Sequence, residues 1–207
     1  MNVLYLNPVS FYKYNQIFAD SLKEYKDSNT KLDVACFQPT SDLPISLDNL
    51  GYRVFESLVK KETAQVARLG SFPNLVKNKR YDAMVIGCFY DPEMFASRTI
   101  SGSMYVVGPC QASCQVATNL GNKFSIIIGM DYWEDEMKNT VYEYGYKDHL
   151  ISFESVNIPA NEFSVDPEKT LKAIEAAALN AVNKGAEAII LGCTLEMGTF
   201  LEVQKFL

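Results

Sequence analysis

Histidine is almost missing from this chain: a single one, His149, among 207 residues. A Ser-His-Asp or Cys-His catalytic group would have to use it. It stands in Tyr146-Lys147-Asp148-His149, which reads as a loop after a helix. The shortage also argues against a transition-metal site, where imidazole nitrogen is a common ligand. Long apolar runs are missing too, since none approaches the roughly 18–20 residues that span a bilayer. The first residues show no basic stretch leading into an apolar segment and a cleavage site, so no export signal is expected. Basic residues are fewer than acidic ones, 19 against 25, and the net charge is −6. That balance disfavours nucleic acid or anionic membrane as a partner. Lys60, Lys61, Lys77, Lys79 and Arg80 form one local basic region, read as solvated helix surface. Cysteines number five, an odd count without secretory features, which fits thiols in a reducing cytoplasm rather than a disulfide framework.

The rest of the composition, 48% hydrophobic and 21% charged, is ordinary for a globular protein. Its length allows one substantial domain or two small ones. Along the chain, apolar strand patterns alternate with helical ones. Residues 2–6, 32–37, 83–87, 104–107, 124–128, 151–156 and 188–191 read as strands. Ser10 is a candidate cap for a helix through about Tyr25, residues 38–51 read as a loop, and residues 52–69 have helical periodicity. Asp91-Pro92 predicts a helix start, a capping carboxylate followed by Pro at the first helical position. Asp166-Pro167 does the same for a long alanine-rich helix that stops at Lys184-Gly185. This alternation predicts an α/β fold: two similar doubly wound, mostly parallel-sheet halves, residues 1–103 and 104–207. Ligands in such folds collect beyond the carboxyl ends of the strands, so the active site is expected in the cleft between the halves.

Two segments resemble each other: Val85-Ile86-Gly87-Cys88-Phe89 and Ile190-Leu191-Gly192-Cys193-Thr194. They lie 105 residues apart (193 − 88), and each is an apolar strand, then Gly, then Cys, then an expected helix start. A thiol at a helix N-terminus is drawn toward its anionic form by unpaired N–H groups. The Gly before each Cys permits close backbone approach to a ligand. Cys88 and Cys193 are therefore the candidate catalytic pair. Cys110 and Cys114, four apart on a predicted helix, and Cys36, inside a strand, read as core. Asp91 and Glu196 read as helix-start carboxylates. Asn7 is either a turn residue or a hydrogen-bond donor to a substrate, and Thr194 caps its helix or holds a substrate oxygen.

These motifs resemble the aspartate/glutamate/hydantoin racemase superfamily over nearly the whole chain. The resemblance rests on Leu6-Asn7-Pro8, Ile86-Gly87-Cys88-Phe89-Tyr90-Asp91-Pro92, Gly108-Pro109-Cys110-Gln111-Ala112 and Leu191-Gly192-Cys193-Thr194-Leu195-Glu196. The run Cys-Phe-x-Asp-Pro is closest to the hydantoin racemase branch. The resemblance implies cofactor-independent racemisation or epimerisation of a small carbonyl or carboxylate compound, without metal, with Cys88 and Cys193 as acid and base. It also places Asn7, Phe89, Gln111 and Thr194 near the substrate. Leu195 stands where amino-acid racemases carry His, and the first motif lacks their Asn-Thr dipeptide, which weighs against glutamate or aspartate. The family pattern continues through another strand and a final helix, whereas this sequence ends 14 residues after Cys193 (207 − 193). That final strand and helix are therefore expected to be absent, and a homo-oligomer covering the surface they leave is a possible arrangement.

Other chemistries share this architecture. A maleate-type cis–trans isomerase also carries two cysteines, and a thiol can add to a double bond. Arylmalonate decarboxylases retain only the second cysteine, so Cys88 speaks against them. A non-catalytic small-molecule-binding relative is the remaining alternative.

Overall fold

Residues 1–8, 13–36, 63–68 and 80–207 are described by a computed structural model of the chain. The Ser10 cap, the loop 38–51, most of the helix 52–69 and Lys60, Lys61, Lys77 and Lys79 lie outside them. The chain divides into two compact units, Met1–Gly108 and Pro109–Leu207.

The first unit is built on a parallel sheet of β1 (Asn2–Asn7), β2 (Lys31–Cys36), β3 (Ala83–Ile86) and β4 (Tyr105–Val107), in the order β2-β1-β3-β4. Helix Lys13–Lys23 connects β1 to β2, and helix Met94–Ile100 connects β3 to β4. Residues 63–68 are helical, with Thr63, Val66 and Ala67 buried. β1 is buried from Val3 to Asn7. An unbroken apolar run such as Val3-Leu4-Tyr5-Leu6 is what a parallel strand covered on both faces requires. Leu6 pairs with Ala35 on one side and Ile86 on the other, so the ends of β1, β2 and β3 lie side by side. The sequence boundary at 103/104 gives residues 104–107 to the second half. Here β4 hydrogen-bonds to β3 and the division falls after Gly108. A short strand joins the sheet that offers a free edge, and β3 offers it.

The second unit has a parallel sheet of β5 (Phe124–Ile128), β6 (Leu150–Ser155) and β7 (Ala188–Leu191), ordered β6-β5-β7. β5 is buried throughout and forms its centre. Helix Pro109–Leu120 precedes β5, helix Glu134–Glu143 joins β5 to β6, and helix Pro167–Asn183 joins β6 to β7. The long helix starts where Asp166 accepts the Lys169 N–H on its side chain at 3.0 Å, with Pro167 at the first turn. Its inner stripe, Ile174, Ala177 and Ala178, packs with Ile127 of β5 and with Val203 of the last helix, Phe200–Phe206. Both units are thus α/β with parallel sheets, as the strand–helix alternation requires. No helix among the described residues is long and apolar enough to cross a membrane.

Candidate active site

Each cysteine is set by the same piece of backbone geometry. In the first unit, the Gly87 N–H donates to the Leu6 carbonyl at 2.7 Å; in the second, the Gly192 N–H donates to the Ile127 carbonyl at 2.6 Å. Each bond extends a parallel ladder one residue past the strand, so Cys88 and Cys193 both emerge at a carboxyl end. Beside the expected room for a ligand, these glycines have a packing task. A Cβ on Gly87 would lie 2.5 Å from a Tyr5 ring carbon and 2.8 Å from the Leu6 oxygen. A Cβ on Gly192 would lie 2.5 Å from the Ile127 oxygen and 2.7 Å from an Ile126 methyl. Glycine is needed because the neighbouring strand is too close for any side chain.

Beyond the strands the two sites diverge. Cys88 opens a turn, not a helix: the Asp91 N–H donates to the Cys88 carbonyl at 3.0 Å, and helix begins only at Met94. Asp91 and Glu93 both have positive φ, 50° and 57°, and Glu93, not Asp91, occupies the cap position, without a side-chain cap bond. Asp91-Pro92 is therefore part of the turn. Asp91 is itself buried and lies against Gly108. Cys88 is half-buried as a residue, yet its sulfur is packed closely enough that burial dominates its acidity. Burial pushes the Cys88 thiol up to about 12; the Tyr90 and Phe89 backbone N–H groups pull it down, and the Asp91 charge pushes it up further. The shift toward the anionic form does not occur here, because burial disfavours the thiolate and no helix starts at this sulfur to offset it.

Asn7 ends β1 and is buried. The Leu6–Gly87 bond puts it beside Cys88 along the same sheet edge. Its amide donates to Asn15 Oδ1 at 3.5 Å, and the Asn15 amide donates to Cys36 Sγ at 3.5 Å. Asn15 has no motif around it; only its place on the inward side of helix Lys13–Lys23 marks it. Phe89 is 3% exposed, so its ring belongs to the packed interior, while its N–H serves the Cys88 sulfur.

Cys193 is half-buried and directly precedes the 3-10 helix Thr194–Thr199, as the sequence predicts for a helical start. Thr194 is its first residue and is half-buried. Glu196 reaches back to this cysteine: its Oε2 accepts the Cys193 N–H at 3.3 Å, while its own N–H donates to the Cys193 carbonyl at 3.0 Å. The bond from the Cys193 N–H to the Glu196 side chain is the acidic half of a capping box, while the bond to the Cys193 carbonyl is an ordinary 3-10 turn bond. Glu196 is 1% exposed, and its Oε1 is buried without a hydrogen-bond partner among the described residues. Burial pushes the Glu196 carboxyl up to about 8, with the Cys193 N–H opposing. Gln111, half-buried, lies in the first turn of helix Pro109–Leu120. That helix runs back to the start of β5, so its first turn lies toward the carboxyl edge of the sheet, as Cys193 does.

All five cysteines are thiols. Cys36, Cys110 and Cys114 are buried, in keeping with core roles. His149 holds the Asn122 carbonyl through Nδ1 at 2.8 Å and directly precedes β6, at the opposite end of its sheet from Cys193. Among the described residues, no group of three His, Cys, Asp or Glu is placed to hold a metal ion.

The family model described as Asp/Glu/Hydantoin racemase matches residues 28–204. A hydantoin racemase of Rhizobium meliloti is 35% identical over 116 residues, 54% of this chain and 46% of that protein. A hydantoin racemase of Pseudomonas sp. (strain NS671) is 29% identical over 113 residues, 54% of this chain and 45% of that protein. The chain thus spans about half the length of these relatives. Among solved structures, an allantoin racemase from Pseudomonas fluorescens superposes with a TM-score of 0.80 at 18% identity, covering 99% of this chain and 82% of that one. An allantoin racemase from Klebsiella pneumoniae gives 0.76 at 17% identity, covering 99% and 79%. At these identities the structural likeness establishes the fold.

Proposed function

The chain belongs to the Asp/Glu/Hydantoin racemase family, and from that premise we propose that it is a cofactor-independent racemase or epimerase that works with Cys88 and Cys193 as acid and base. The substrate class is a small cyclic or open carbonyl compound of the hydantoin or allantoin kind, with a hydrogen on the carbon beside the carbonyl. One observation carries this reading: the same Gly-Cys unit stands one step past a parallel strand in both units, held by the same N–H to carbonyl bond.

In the reaction, one sulfur takes the proton as thiolate and the other returns a proton to the opposite face. This requires both sulfurs to reach the same carbon, at about 3–3.5 Å each. Neither thiol is the base permanently: the hand of the substrate decides which sulfur takes the proton, and burial favours the protonated form of Cys88 in the resting protein. The charge that develops on the carbonyl oxygen needs donors nearby. Asn7, at the sheet edge beside Cys88, and Thr194, next to Cys193, supply side-chain donors, with Gln111 as a further contact. Phe89 contributes through its N–H at the Cys88 sulfur rather than through its ring.

Deuterium uptake in D₂O together with chiral chromatography tests the reading, with 5-substituted hydantoins and allantoin as substrates. The parent chain exchanges the hydrogen beside the carbonyl and loses optical purity. Cys88→Ser and Cys193→Ser each slow racemisation by about 100-fold or more, the scale of a lost acid–base group. Either variant racemising like the parent sinks the two-thiol mechanism, and a covalent maleate adduct on Cys88 or Cys193 replaces it with the isomerase reading.

A further inference from the structure

Glu196 is the one buried carboxyl of the second motif, and the two-thiol mechanism does not use it. Its counterpart in the first unit is Asp91, also three residues after a cysteine, also buried, and also donating its N–H to that cysteine's carbonyl at 3.0 Å. The two acids therefore occupy matching backbone positions in the two cysteine turns. They differ in what they do there. Asp91 stands against the formation of charge on Cys88. Glu196 turns its carboxyl onto the Cys193 backbone instead.

We propose that Glu196 is a positioning residue for Cys193: as an uncharged acid it ties the cysteine's N–H into the turn, and it sets no fixed negative charge against the sulfur. The geometry carries this. Its Oε2 receives a single long bond of 3.3 Å, its Oε1 receives none from the described residues, and the side chain is sealed from water. Among the described residues, an ionised carboxylate in such a place lacks the donors or the cation that would make its burial tolerable. The proton therefore stays on the carboxyl. The upward displacement of its acidity by burial agrees. The consequence is an asymmetry between the sulfurs: a like charge opposes the thiolate of Cys88, and none from its matching acid opposes that of Cys193. This inference rests on Cys193 being one of the two proton-transfer groups.

The test needs no turnover. The intact chain is alkylated with iodoacetamide near neutral pH, and modification of the Cys88 and Cys193 peptides is followed separately by mass spectrometry. Glu196→Gln keeps an acceptor and remains neutral, so the Cys193 rate stays within about twofold of the parent. Glu196→Met keeps the bulk but removes the acceptor; the stranded N–H favours opening of the turn, and the Cys193 rate rises by about fivefold. Cys88 serves as the internal control and does not change in either variant. A rise of about tenfold at Cys193 in Glu196→Gln overturns the proposal, because it is the signature of removing a negative charge from beside the thiol. An unchanged Cys193 rate in a folded Glu196→Met overturns the positioning role. If Glu196→Met fails to fold, the Glu196→Gln rate still decides the charge state. Failure of racemisation in the parent removes the catalytic reading without touching these rates.

Discussion

Gly87 and Gly192 decide more than their size suggests. Neither sits at a positive φ, so their requirement is one of space, not of backbone freedom. Each lets a cysteine-bearing turn begin within bonding distance of the adjacent strand's carbonyl. An added methyl would meet backbone oxygen at 2.8 Å beside Gly87 and at 2.5 Å beside Gly192, and a strand carbonyl cannot swing aside as a side chain end can. Gly87→Ala and Gly192→Ala are each expected to cost about 2–3 kcal/mol, in the range of an overpacked core. Each should also move its cysteine. Gly198, whose Cβ would meet no other atom within 4 Å, is the control, and Gly198→Ala should stay within about 0.5 kcal/mol of the parent. Urea midpoints on the three variants check this ordering. Equal midpoints for all three would mean that the ladder bonds at Leu6 and Ile127 do not hold the turns in place.

Much of the strand and helix layout can be read directly, because burial on both faces leaves a plain mark. Leu4, Leu6, Ile126, Ile127 and Ile128 are fully or almost fully buried, and they lie in the runs that read as strands. Helix ends depend on single side chains, and there the same dipeptide gives two outcomes. Asp166-Pro167 is a true helix start, with the carboxylate on the Lys169 N–H. Asp91-Pro92 is not, because the chain is still turning off β3 and Asp91 takes a φ of 50°. Local composition does not separate the cases; the tight turn after a strand does. β4 escapes for a related reason, since its sheet is chosen by the free edge of β3 and not by its own three residues. The cysteine motifs are visible through their repetition, but the burial of Asp91 and Glu196 is not, since only folding turns a carboxylate of the motif into a buried one. The working cap offers a check: Asp166→Ala should cost about 1 kcal/mol, read as a lower urea midpoint. The loss is global within the second unit, because this helix carries Ile174, Ala177 and Ala178 into the core beside β5. An unchanged midpoint would show that Pro167 alone starts the helix.

The buried acid also gives the stability of the entire chain a direction on the pH axis. Glu196 ionises near 4.5 when unfolded and near 8 when folded, because burial disfavours its charge. Below about 4.5 both states hold the proton and its contribution is complete. As pH rises, the unfolded chain releases the proton first, so stability falls until the folded group also ionises near 8. The span corresponds to on the order of 5 kcal/mol as an upper bound. Cys88 works in the same sense at higher pH, between its ordinary value near 9 and about 12. The net charge of −6 at neutral pH adds self-repulsion that also grows with pH, so a falling melting temperature alone does not identify the cause. The comparison with Glu196→Gln does, since that variant changes the titration and retains the general charge background. Between pH 5 and 8 the melting temperature of the parent should fall more steeply than that of Glu196→Gln, with the gap widening toward pH 8. Parallel curves for the two proteins would mean that the carboxyl ionises alike in both states, and with that the uncharged acid beside Cys193 would be lost.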